Sequence, residues 1–197
     1  MQERLADNRL RILKATRGLI AQGGFHQASM TAVASSAGLS TGALYRYFPS
    51  KVDLFVEVLN SAVDHEVVIL QAIVDGEGDV AARLCACVRS FARRALEGPY
   101  LAYAFIAEPI EPEVDAARLL CRERFGEVFK QLLREGIAAG VLPQQSVDIG
   151  AACIVGAFTE ALVRPVAPQS ARSPGDPLIE GIVEFCARAV GAPASPA

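Results

Sequence analysis

Residues 29–51 read Ser-Met-Thr-Ala-Val-Ala-Ser-Ser-Ala-Gly-Leu-Ser-Thr-Gly-Ala-Leu-Tyr-Arg-Tyr-Phe-Pro-Ser-Lys. Ser29 suits an N-cap, because a serine hydroxyl accepts from the free N–H groups of a helix start, and a short helix over 30–37 follows. Gly38 makes a turn. Ser40 caps a third helix over 41–47. Pro49-Ser50 interrupts it, and Ser50 caps a fourth helix that begins at Lys51. Leu44 and Phe48 lie four apart and turn inward with Val33 and Leu39.

Two short helices about a tight turn match the spacing of a helix-turn-helix, whose second helix enters the major groove of DNA by its N-terminal end. Bulk there would hold the helix off the base edges. Ser40, Thr41, Gly42 and Ala43 are all small. Thr41 can bond a base or a phosphate, and Ala43 can touch a thymine methyl. Tyr45, Arg46 and Tyr47 offer donors. Lys51, at the next helix start, is placed for a phosphate together with the N–H groups of that start.

Outward from this segment nearly everything reads as helix. Residues 8–22 put Ile12, Leu13, Thr16, Leu19 and Ile20 on one face, and Gly23-Gly24 ends the helix. From Lys51, Leu54, Phe55, Val58, Leu59, Ala62 and Val63 continue at helical spacing. Further helices are predicted at 79–97, 100–107, after an acidic loop from Glu108 to Glu113 up to about 139, at 146–163 and 176–190, with a Pro- and Ser-rich loop from Pro165 to Pro177. Alternating strand patterns are nearly absent. The fold class is all-α, about nine helices. The divisions are a helix-turn-helix head at 1–50, a body at 51–191 and a disordered tail at 192–197.

Composition narrows the function. Through Lys51 the chain has seven basic residues against two acids, although the whole carries −3. A basic end on an acidic body fits a DNA-binding head with a regulatory body. Hydrophobic residues make up 52% without a run long enough to span a membrane uninterrupted, so the excess points to a cavity, a subunit interface, or both. No export signal is visible, and Cys85, Cys87, Cys121, Cys153 and Cys186 read as reduced thiols of a cytoplasmic protein. Catalytic residues, metal ligands and cofactors are not expected: no nucleophile is paired with a base, and no phosphate loop or metal set occurs.

The stretch from Ala34 to Phe55, above all Leu44-Tyr-Arg-Tyr-Phe-Pro-Ser-Lys51, resembles the DNA-binding domain of TetR-type (TetR/AcrR) transcriptional regulators. The likeness covers about residues 8–60. It implies a three-helix head, a connecting fourth helix, and a body that binds a small molecule and dimerises through its last two helices. The DNA contacts it implies fall on Ser29 or Met30, Thr31, Ser40, Thr41, Gly42, Tyr45, Tyr47 and Lys51. Thr31 stands where the family often has a longer polar or basic residue.

The implied pocket draws on Phe91, Tyr100, Tyr103, Phe105, Phe125 and Phe129. Arg118 and Arg122, four apart, either hold an acidic ligand group or form a solvated face with Asp115 and Glu123. An apolar or aromatic acid, or an acyl thioester, is the expected effector, while acids Glu108 to Asp115 leave cations open. Gly150, Cys153, Gly156, Ala157 and Ala161, with Leu178, Ile182, Phe185, Cys186 and Ala189, can build a four-helix interface across a two-fold axis. The expected protein is a homodimeric repressor, released from a palindromic double-stranded operator by an apolar or amphipathic molecule, with no membrane partner. The alternative is a helical small-molecule-binding or protein-interaction adaptor without operator binding.

Overall fold

Three serine caps set the head. Ser29 Oγ accepts from the Ala32 N–H at 3.2 Å, Ser40 Oγ from Ala43 at 3.2 Å, and Ser50 Oγ from Asp53 at 3.0 Å. In the computed structural model, which describes residues 2–169 and 175–192 (side chains from Leu5 on), these caps open three helices. They are α2 (Met30–Ser36), α3 (Thr41–Tyr45) and α4 (Lys51–Val74), preceded by α1 (Gln2–Gly23) and a 3₁₀ turn, Phe25–Gln27. Between α2 and α3, Gly38 has φ 67°, and a Cβ there would lie 2.8 Å from Arg11 Nη2. Arg11 fills that space and donates to the Ala37 carbonyl, locking the turn onto α1.

The body comprises α5 (Val80–Glu97), α6 (Pro99–Ile106), α7 (Pro112–Ala138), α8 (Val147–Val166) and α9 (Gly175–Ala189). The all-α class holds, with nine α-helices and no strand among the described residues. Helix α7 packs on α4 and α8, α5 packs on α9, and α6 lies between α1 and α8. The buried core is continuous from Ile12, Leu44 and Phe48 in the head, through Leu54, Phe55 and Val58 of α4, to Phe129, Phe158 and Cys186 in the body. One side of α4 thus serves both parts.

Several boundaries differ from the sequence reading. Helix α1 starts before residue 8, because a solvated helical extension needs no apolar face. Helix α3 ends at Tyr45, where the Tyr47 and Phe48 N–H groups both turn back to the Leu44 carbonyl. Helix α8 runs past Pro165, which sits in the last turn, where a missing N–H removes a single bond. Ala192, placed in the expected disordered tail, is buried, and its N–H donates to Ala187 O at 2.9 Å. Residues 193–197 and the loop centre, 170–174, lie outside the described residues.

Candidate nucleic-acid interface and ligand cavity

Helix α3 presents one end to solvent. Ser40 and Gly42 are exposed, and Thr41 and Ala43 half-buried. An ideal Cβ at Gly42 meets nothing within 4 Å. Tyr45 is 47% exposed, although Leu44 beside it is fully buried and anchors the helix. Arg46 and Thr31 are exposed, as is Ser29. Arg46 has no ion pair among the described residues. Tyr47 is half-buried, with its hydroxyl accepting from Asn8 Nδ2 at 3.0 Å.

Two expected contacts are corrected. Met30 is only 8% exposed and belongs to the head core, because the first turn of α2 rotates it inward while Ser29 and Thr31 stay out. Lys51 is half-buried rather than fully extended into solvent. Its Nζ lies 3.7 Å from the centroid of the Phe25 ring, and burial lowers its pKa against the opposing pull of Glu111 and Glu108. The first N–H groups of a helix such as α4 add to the pull on an anion at that start.

A cavity of about 300 Å³ opens between α4, α5, α6 and α7. Phe91, Phe105, Phe125, Arg118 and Arg122 line it, as the sequence suggested. Tyr100, Tyr103 and Phe129 do not. On α6 the cavity face holds Leu101, Ala102, Phe105 and Ile106, and helical rotation carries the two tyrosines to the other side. Phe129 continues the α7 stripe one turn too far. It packs on Phe158 at 5.7 Å, behind Phe91, whose ring is 4.7 Å from Phe158.

The cavity's polar groups have separate fates. Arg118 is buried and already engaged. It donates to the carbonyls of Phe105, Ala104 and Glu108, and to the Asp115 carboxylate. It pins the end of α6, and of the expected solvated face it keeps only the pair with Asp115. Arg122 is exposed at the cavity and has no ion pair among the described residues. Sequence reasoning missed Arg17, which reaches the cavity from the head, and His65, Glu66, Arg94, Glu97 and Thr159. Arg94 binds Glu66 through Nε and Nη2, at 3.0 and 2.7 Å. The Thr159 hydroxyl donates to Val155 O at 2.6 Å. Charges inside the apolar periodicity of α4 and α5 were the available signal for the Glu66–Arg94 pair.

By length and composition α8 could cross a membrane, but it packs along α7 and α9. Its outer face, with that of α9, exposes Ile149, Cys153, Ala161, Phe185 and Ala189, with Phe185 at 56%. Gly156, Ala157 and Leu178 are half-buried beside them. Three expected interface residues face inward instead. Ile182 and Cys186 are buried in the chain's own core, and a Cβ at Gly150 would lie 3.0 Å from Leu133 Cδ1.

The geometry defines a helix-turn-helix head on a helical, cavity-containing body. Residues 12–58, the head and the first part of α4, match the family model described as bacterial regulatory proteins, tetR family. Over 53 residues the chain is 51% identical to the HTH-type transcriptional repressor KstR of Rhodococcus jostii, covering 27% of this chain and 25% of that relative. The match thus spans about a quarter of the relative's length. The nucleoid occlusion factor SlmA of a Marinomonas species is 26% identical over 75% of this chain and 77% of its own. In fold, the chain resembles the transcriptional regulator FadR of Bacillus subtilis in complex with stearoyl-CoA. That likeness has a TM-score of 0.78 at 18% identity, and covers 94% of this chain and 99% of FadR.

Proposed function

We propose that the chain is a homodimeric transcriptional repressor that leaves its operator when an amphipathic anion enters the cavity. The observation that carries the DNA reading is the α3 start: small throughout, solvent-open at Ser40 and Gly42 with Thr41 half-buried between them, yet fixed from below by Leu44 and Phe48. A rigid, slim helix end is what base-edge contact requires. Ser29, Thr31, Ala43, Tyr45 and Arg46 flank it as further contacts. Two copies joined through the outer faces of α8 and α9 set paired half-sites about 34 Å apart, or a multiple of that, on a palindrome. Such a protein acts where the chromosome is, in the cytoplasm.

The effector class follows from the cavity. Its walls are mostly apolar, and Arg17 and Arg122 bring cationic groups that no ion pair among the described residues satisfies. An acyl or aromatic acid meets both demands, with its tail toward Phe91 and Phe125 and its acid toward Arg122. The FadR relative, with its acyl thioester, supports this class. Selection from a random duplex pool, followed by anisotropy at about 150 mM salt, tests the DNA reading. Failure to enrich any sequence refutes it. Arg122→Glu should then weaken acids at least about tenfold while sparing neutral analogues; equal loss of both refutes the anion assignment.

A further inference from the structure

We propose that Glu108, in the α6–α7 connection, is the positioning residue through which the cavity governs the DNA-reading head. This rests on the ligand-responsive reading above and adds to it the device that carries the response. Glu108 is only 7% exposed, and it is a body residue whose carboxylate is used by the head. Its Oε2 accepts from the Phe25 N–H at 3.0 Å. Gly24, at φ 82°, brings the head's main chain so near that a Cβ there would lie 3.2 Å from both carboxylate oxygens. His26 Nε2 is 3.8 Å away, and Lys51, over the Phe25 ring, feels the same charge.

The other end of the connection is the cavity wall. The carbonyl of Glu108 accepts from Arg118 Nη2 at 2.7 Å, and the same nitrogen donates to Ala104 O at 2.6 Å. Arg118, Phe105 and Ile106 all line the cavity. A second route is made of rings: Phe105 on Phe55 at 5.8 Å, and Phe55 on Phe25 at 4.8 Å. Both routes converge on Phe25, and from there on Lys51, the first residue of α4.

The chemistry makes this junction two-state. A buried carboxylate is tolerated only while its donors are in place. A small shift of the α6 end that stretches the Phe25 N–H bond leaves the carboxylate dry and under-bonded, so it moves out to water altogether. An occupant that displaces Phe105, or draws the Arg118 guanidinium toward its own acid, acts on that end. The head is then released from the body at the 3₁₀ turn and the α4 start together. An effector acts only through its different affinity for the seated and unseated states.

The test uses the full chain, a selected operator duplex, and 8-anilinonaphthalene-1-sulfonate as an aromatic anionic probe. Operator Kd is measured by anisotropy with and without saturating probe. In the wild type the probe should raise Kd by about tenfold, within the usual range of coupling. In Glu108→Ala the ratio should fall to within about twofold of unity while the probe still binds, because Glu108 does not line the cavity. Glu108→Gln keeps an acceptor for Phe25 and loses the charge felt by Lys51. Its ratio should be intermediate, and it carries the test should the alanine variant misfold. An unchanged ratio in both variants overturns the proposal, as does a wild type whose operator affinity ignores the bound probe. A wild type that selects no duplex at all fails earlier and removes the functional reading with it.

Discussion

Gly42 separates folding from DNA reading. It lies in the first turn of α3, its φ is not positive, and nothing stands within 4 Å of an added Cβ. Alanine there removes the conformational freedom of glycine without strain. The helix gains about 0.5 kcal/mol, the lower end of the Gly-to-Ala range, because the site is near a terminus. For a chain of this size that raises Tm by about 1–2 °C. Gly42→Leu should be equally well folded, since its side chain extends into solvent. Between α3 and a base pair, however, that side chain has nowhere to go. Base contacts are lost while phosphate contacts persist, so binding retreats toward its non-specific level. Specific binding typically exceeds that level by about 10³ or more, and a drop of at least about 100-fold in operator selectivity is expected. Calorimetry and competition anisotropy against scrambled duplex give the two numbers. A lowered Tm for Gly42→Ala refutes the local geometry. Wild-type selectivity in Gly42→Leu refutes the placement of α3 in the groove.

Arg46 and Lys51 should differ in salt dependence. Arg46→Ala should reduce the slope of log K against log salt by about 0.9, whereas Lys51→Ala should leave it unchanged and lower stability by about 1 kcal/mol through loss of the Phe25 contact; the reverse pattern in a salt titration would mean that Lys51 swings out to a phosphate. Phe185→Glu should dissociate the proposed dimer. Two copies each lose one buried aromatic, roughly 3 kcal/mol in all, so Kd rises about 100-fold by sedimentation, and an unchanged mass refutes the α8–α9 face. Burial pushes the Cys87 thiol up to about 12 and Cys186 to about 11, while Cys153 is exposed. At about pH 8 a maleimide should label Cys153 alone, and only in diluted monomer if the interface covers it. Bonding to Arg89 lowers the Glu180 pKa, so its contribution to stability is present above the ordinary glutamate range and is lost as pH falls through the lowered value. Melting curves of Glu180→Gln should therefore fall less steeply with acid than those of the wild type, and parallel curves would refute the link.

Legibility followed the range of the interactions. Ser29, Ser40 and Ser50 were readable because each cap bonds an N–H three residues on, and the spacing is written in the chain. Leu44 and Phe48 were readable as inward residues for the same local reason. The pocket was only half readable. Periodicity marks an apolar face on α6 or α7 but not where along it the neighbouring helices part, so Phe125 borders the cavity and Phe129 is sealed behind it. Small residues on α8 suggested close packing without saying against whom, and Gly150 proved to accommodate Leu133 of its own chain.

The sequence by itself determined the helical class, the helix-turn-helix head, and the basic end of the chain, because caps, periodicity and charge are properties of near neighbours. Tertiary structure alone decided that Arg118 would fasten α6, that Lys51 would rest on Phe25, and that Arg17 of the head would reach the cavity. It also decided that Glu108 would hold an N–H 83 residues away. Such pairings depend on how separate helices meet in space, and no local pattern encodes that meeting.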